Sequence, residues 1–386
     1  MIEEIKNDIE KLTPQLIQWR RDFHRHPEVA FCEERTSQVL KDYFERLGLP
    51  FRSMAKTGLR ADLEGRPGGK TVALRADIDA LPLQEENESE YKSVNDGAMH
   101  ACGHDGHMAI VLGAAKILKK RRGQFKGKVV FLFQPAEELP PGGAKPMVEE
   151  GALEGVDAVF GLHLWQNLPT GKIGVVKGPM MAASDNFTIT VKGKAGHGSM
   201  PHQTVDPILA ASQLVCSVQS IVSRDVDPLK PAVVSFGAIN GGTINNIIPG
   251  EVSLKGTVRS FDPAVQELAE KRLKEIADKT CRASRAEAEF AYERGYPALV
   301  NHDAEVDFLL DVVKDTLGED SLVGFDPIMG GEDFAYYLKE VPGAFFFFGS
   351  GDGLSYPHHH PKFDIDEKAL PEATLLMTSL ALHYLD

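Results

Sequence analysis

The sequence is short of cysteine, tryptophan and long apolar runs. The four cysteines, Cys32, Cys102, Cys216 and Cys281, are scattered and form no C-x-x-C pair. That excludes a disulfide framework and points to a reducing cytoplasm. No apolar stretch approaches the roughly 20 residues a membrane helix needs, and no low-complexity or solenoid-length repeat is present. The first residues, Met1-Ile2-Glu3-Glu4-Ile5-Lys6, read as a charged amphipathic helix and not as a secretory leader. Basic charge is also in deficit: 42 Lys and Arg against 56 Asp and Glu give a formal net charge of −14. Nucleic acid or an anionic membrane is therefore excluded as a bulk partner, whereas a small anionic ligand needs only one local arginine.

What the chain does have is a nine-residue run, Met99-His100-Ala101-Cys102-Gly103-His104-Asp105-Gly106-His107, holding one thiol, three imidazoles and a carboxylate. Cys102 and His104 are two residues apart and face the same way in an extended or turning backbone. A soft thiolate beside an imidazole suits zinc, and cobalt, nickel or manganese when carboxylates complete the shell.

At 386 residues the chain is long for one core, so two domains are expected, one inserted in the other. Residues 1–48 read as helical, with a restart at Thr13-Pro14 and a break at His24 to Glu28 treated as a structural loop. Strand material over Thr71 to Asp79 delivers two acids at its carboxyl end, where open α/β sheets place ligands. A helix from Met108 to Lys120 follows. Lys128 to Phe133 then reads as a buried strand leading into Glu137-Glu138, and Ala158 to Trp165 as another carrying His163. This alternation predicts an α/β fold with a mostly parallel sheet. From about residue 181 to 295 the rhythm becomes β-α-β-β-α-β, the order of a ferredoxin-like α+β unit. The α/β pattern of 1–180 resumes over 296–386, with the four phenylalanines 345–348 as core strand and a histidine triplet, 358–360, in a loop.

Candidate ligands thus stand at several strand ends: Cys102, His104, Glu137, Glu138, His163 and one of His358 to His360. Five ligands exceed a closed four-coordinate site, so a second metal is the simplest reading, and a thiolate can bridge two ions. Neighbours in an extended segment point apart, so one of Glu137 and Glu138 binds metal and the other is free as a general base. That division of labour fits hydrolysis of an amide or ester.

At these residues the chain resembles the M20 family of metallo-aminoacylases and carboxypeptidases. Within it, the similarity is to the amidohydrolase branch of hippurate, N-acyl-amino-acid and auxin-conjugate hydrolases. The resemblance runs through Arg20 to His24 with His26-Pro27-Glu28, Leu74 to Pro82, Met99 to His107, Phe133 to Glu138, Gly161 to His163, Gly196 to Gly198 with Pro201-His202, Asn246 to Pro249, Gly331 to Phe334, and His359 with Pro361. It implies a metallo-exopeptidase-like catalytic domain holding two divalent metal ions (Zn, Mn, Co or Ni) through Cys102 as bridge, His104, Glu138, His163 and His359. His359 is chosen because the family's ligand lies two residues before the proline. Glu137 would be the base. Asp77 stands where the wider family often has a metal-binding His, which favours the cysteine-using branch. The inserted domain resembles the family's dimerisation lid. There His197 matches a lid histidine that stabilises the oxyanion in the partner's site, and Asn246 and Arg259 match positions near the substrate carboxylate. The implied protein is a cytoplasmic homodimer hydrolysing N-acyl-L-amino acids, with a metallocarboxypeptidase or dipeptidase as the alternative.

Overall fold

The computed structural model describes residues 2–353 and 356–386. The chain divides into two compact units: Met1–Met180 with Val300–Asp326 and Asp333–Asp386, and Met181–Leu299 with Pro327–Glu332.

The larger unit is built on a seven-stranded sheet in the order Phe51–Met54, Gly58–Glu64, Lys126–Gln134, Arg66–Asp77, Ala158–Pro169, Gly343–Gly351, Ile173–Gly174. The four inner strands from Lys126–Gln134 to Gly343–Gly351 are mutually parallel, and antiparallel strands finish both edges. Parallel strands need both faces covered. Accordingly Val129 to Phe133 and Phe345 to Phe348 are fully buried on both sides of the pleat. Helices Ile2–Arg25, His104–Lys120 and Ala369–Tyr384 pack on one another. Gly113 permits the closeness, since a Cβ there would lie 2.6 Å from Leu16 and 2.9 Å from Thr374.

The first helix does not restart at Pro14; it runs through it. Ile5, Ile9, Leu12, Leu16 and Phe23 form one buried stripe, and that burial outweighs the roughly 3 kcal/mol cost of an internal proline. Thr13 also turns its hydroxyl back to the Ile9 carbonyl at 2.9 Å. The cationic end of helix His104–Lys120 is matched internally, with Lys120 and Arg121 on Asp8 at 2.7 and 2.6 Å.

In the second unit a four-stranded antiparallel sheet has the order Ala232–Asn240, Glu251–Ser260, Ala183–Lys192, Glu287–Tyr296. Helices Pro207–Val218 and Pro263–Ala283 cover it. Each opens with an aspartate N-cap, Asp206 or Asp262, followed by proline. Phe187, Ile189, Leu214, Leu254, Leu273 and Ala277 form its own core. The β-α-β-β-α-β order and the sheet order are those of a ferredoxin-like unit. A short ribbon pairs Gly196–His197 with Ile247–Ile248. No helix among the described residues is long and apolar enough to cross a membrane.

Candidate metal centre

The carboxyl edge of the parallel strands collects the candidate ligands. Gly103, with φ 88°, turns the chain into helix His104–Lys120, so His104 is the first helical residue and Cys102 lies just before it. His104 shares Nδ1 with the Asp79 carbonyl at 2.9 Å, while its Nε2 is buried with no hydrogen-bond partner. His163 repeats this plan: Nδ1 meets the Leu164 carbonyl at 2.8 Å and Nε2 lies 3.4 Å from the Cys102 sulfur. A carbonyl can only accept, so both rings carry hydrogen on Nδ1 and turn Nε2 inward, the nitrogen through which such imidazoles bind metal.

The two glutamates do not sit in an extended segment pointing apart. Ala136 takes a left-handed φ of 54°, and the N–H groups of Glu137 and Glu138 both donate to the Asp79 carboxylate, at 2.9 and 3.0 Å. That turn brings the Glu137 and Glu138 carboxylates and the free nitrogen of His104 within 4.8 Å of one another. His359 is also left-handed, φ 63°, pinned by its N–H to the Ala101 carbonyl at 2.8 Å. Its Nε2 pairs with Glu138 Oε1 at 3.2 Å, and both belong with the Cys102 sulfur to one group of donor atoms. The neighbouring histidines are engaged elsewhere. His358 donates from Nε2 to the Leu164 carbonyl at 3.0 Å and stacks on Trp165, while His360 stacks on Tyr356.

Of the five donor triads among the described residues, two share Cys102: Cys102 with His104 and His163, and Cys102 with Glu138 and His359, each with its donor atoms within 4.8 Å of one another. Burial pushes the Cys102 thiol well up, and Glu138, Glu137 and Asp77 push it further. Burial pulls His104 down, but Asp77 and Asp79 outweigh it and raise the imidazole to about 10. Both shifts record the negative charge gathered around these donors, which a divalent cation would offset in place of the imidazole proton. The orphaned His104 Nε2, the Glu138 carboxylate and the soft sulfur fit divalent cations.

Behind these donors lies a supporting layer of buried charged and polar side chains. His107, though part of the same run, has both nitrogens taken: Nδ1 donates to Asp77 at 2.6 Å and Nε2 accepts the Leu164 N–H at 2.8 Å. Asp77 also accepts from Arg75 at 2.6 Å. His24 is not in a loop but closes the first helix, fully buried. It lies 2.8 Å from Asp105 and 3.1 Å from Glu85, and Arg20 reaches Asp105 at 2.8 Å and Asp364 at 2.6 Å. The signal for this layer was present, as charged residues on an otherwise buried helical stripe.

In the inserted unit His197 is exposed on the ribbon, its Nδ1 accepting the Ser199 N–H at 3.2 Å. Asn246 is beside it, its carbonyl accepting the Gly198 N–H at 2.8 Å. Arg259 belongs to the four-stranded sheet instead, half-buried opposite Ser184, with one guanidinium nitrogen that has no partner.

Comparison with known proteins agrees with this architecture. An N-acyl-L-amino acid amidohydrolase of Geobacillus stearothermophilus is 48% identical over 302 residues, 78% of this chain and 82% of that protein. Thermostable carboxypeptidase 2 of Saccharolobus solfataricus is 39% identical over 391 residues, 100% of this chain and 99% of that one. The crystal structure of the Bacillus subtilis YXEP protein, described as a dinuclear metal binding peptidase from the M20 family, superposes with a TM-score of 0.85 at 36% identity, covering 97% of this chain and 99% of that one. The model of peptidase family M20/M25/M40 matches residues 73–383, most of the chain, and the protein belongs to that family.

Proposed function

We propose that the protein is a dinuclear metal-dependent amidohydrolase that converts N-acyl-L-amino acids to a carboxylate and a free amino acid. The observation that carries this reading is the pair of donor triads meeting at one sulfur, with the Glu137 carboxylate beside them and in neither. Cys102, His104 and His163 would hold one cation, and Cys102, Glu138 and His359 the other. Zinc, manganese, cobalt and nickel all accept this donor set. When bound, such cations polarise a carbonyl and lower the pKa of water. Glu137 takes a proton from the attacking water as its oxygen adds to the acyl carbon. The C–N bond then breaks, and Glu137 returns the proton to the leaving amine.

His197 supplies a donor to the oxyanion from a second copy of the chain, with residues 181–295 acting as dimerisation lid. Asn246 and Arg259 bind the substrate carboxylate, for which the Arg259 guanidinium, with its open nitrogen, is suited. The protein works in the cytoplasm as a homodimer on a small molecule. The name of the Geobacillus relative supports the acyl-amino-acid substrate, and that of the Saccharolobus relative keeps the carboxypeptidase reading as the competitor. Amino-acid release from N-acetyl, N-benzoyl and longer N-acyl amino acids, run beside dipeptides ending in the same residue, separates the two. Faster turnover of the acyl series is the expected result, and exclusive cleavage of dipeptides would overturn it.

A further inference from the structure

Among the described residues, six other than glycine have a left-handed φ, and four of them, Phe31, Ala55, Lys56 and Ala136, lie on three segments that converge on one side chain, Glu33. Glu33 is fully buried. Its Oε1 accepts the N–H of Phe31 at 3.0 Å and that of Ala136, 103 positions away, at 2.9 Å. Its Oε2 accepts the hydroxyl of Thr57 at 2.6 Å, and Thr57 closes the turn through Ala55 and Lys56 with its own N–H on the Ala55 carbonyl at 3.0 Å. Left-handed backbone at non-glycine residues persists only where surrounding bonds enforce it, and it gathers at functional sites. The enforced residue here that borders the cluster of donors is Ala136, directly before Glu137. Three successive N–H groups, 136, 137 and 138, are thus held by two buried carboxylates, the first by Glu33 and the next two by Asp79. Neither carboxylate falls in either donor triad that shares Cys102.

We propose that Glu33 is a positioning residue for Glu137. It locks Ala136 in its left-handed turn, and that turn directs the base toward the reacting water. The proposal rests on the reading of Glu137 as general base. It requires two acceptors on one oxygen and a partner for Thr57, all of which a glutamine can supply: its carbonyl takes both N–H groups and its amide donates to the Thr57 hydroxyl. Burial pushes the Glu33 carboxyl up to about 7, so the neutral isostere is a fair replacement.

The test uses the metal-loaded full chain in the variants Glu33→Ala, Glu33→Gln, Glu33→Asp and Glu137→Gln. Readouts are kcat, KM, bound metal, and amide exchange at Phe31 and in the peptide spanning residues 134–139. Displacing a base by a fraction of an ångström to an ångström costs about tenfold or more in kcat. Glu33→Ala should show that loss with KM and metal content unchanged and with faster exchange at 134–139 as well as at Phe31, whose N–H it also holds, whereas Glu33→Gln stays within about threefold of the parent. Glu33→Asp, which keeps the buried acid but shortens its reach, should be intermediate and serves in place of an alanine variant that does not fold. Parent-like kcat in Glu33→Ala or Glu33→Asp beside an inactive Glu137→Gln overturns the tether and leaves the base intact. So does a loss in Glu33→Ala that falls on metal content and KM together with kcat. Parent-like turnover in Glu137→Gln overturns the base reading itself, and the tether with it.

Discussion

The two units carry their candidate residues in opposite ways. In the larger unit four of the five proposed ligands are fixed from behind by a buried partner: His104 by the Asp79 carbonyl, His163 by that of Leu164, Glu138 by the Asp79 carboxylate through its N–H, and His359 by the Ala101 carbonyl. In the inserted unit His197 lies on a short ribbon with Asn246 directly before its second strand, and both residues are exposed. Buried polar groups are costly unless satisfied, so the first arrangement is preorganised within one unit. The second leaves donors open to solvent, as residues awaiting a second surface would be. Mutations in the first region should therefore cost chemistry or folding outright, and mutations in the second should cost turnover without cost to the fold.

The sharpest way to break that contrast is Glu137→Gln. It should lower kcat by about 10²–10⁴ with both metals retained; metal analysis beside steady-state kinetics checks it, and near-normal turnover would remove Glu137 from the mechanism. Next is Arg20→Met, which leaves Asp105 buried without its cation. Stability measured by denaturant should fall by about 3–5 kcal/mol, and less when Asp105→Asn accompanies it. His197→Ala should lower kcat by about 10²–10³ with thermal unfolding unchanged. Mixing this variant with Glu137→Gln should restore activity in hybrid dimers, and hybrids that recover none would place the whole site within one chain.

The smallest effect is one of pH. Burial alone would raise the Asp105 carboxyl, but Arg20 and His24 outweigh it and hold the group well below the usual carboxylate range. A carboxylate depressed in the folded state contributes stability that is complete above its unfolded value near 4 and is lost as pH falls toward the native one. Thermal midpoints followed from about pH 5 to pH 3 should decline more steeply for the parent than for Asp105→Asn; parallel slopes would contradict the assignment.

How much of this was legible in the sequence depended on the same contrast. The donors cluster in short motifs at strand ends, so Cys102, His104, Glu137, Glu138 and His163 could be read directly, and so could the strand-helix alternation and the inserted β-α-β-β-α-β order. The residues alone left the histidine triplet open; the family resemblance picked His359 by its distance from the proline, and the structure has His358 and His360 stacked on Trp165 and Tyr356. Arg20 and His24 showed only as charged residues on a buried helical stripe, without their partners, and Glu33 not at all. The contacts His24–Glu85, Glu33–Ala136 and Arg20–Glu367 span 61, 103 and 347 positions, and no local pattern encodes such pairings. Pro14 misled because propensity is local, whereas the stripe from Ile5 to Phe23 is set by packing. The extended reading of Glu137 and Glu138 failed for a related reason: the left-handed turn at Ala136 is enforced by Glu33 and not by its own sequence.

Metal dependence is decided by titrating metal back into the demetallated protein while following amino-acid release from an N-acyl amino acid and, with cobalt, the thiolate-to-metal absorption of Cys102. Two equivalents per chain should restore full activity and bring up the thiolate band, and Cys102→Ala should abolish both. Full turnover in protein freed of metal would contradict the account and identify Cys102 as a nucleophile instead.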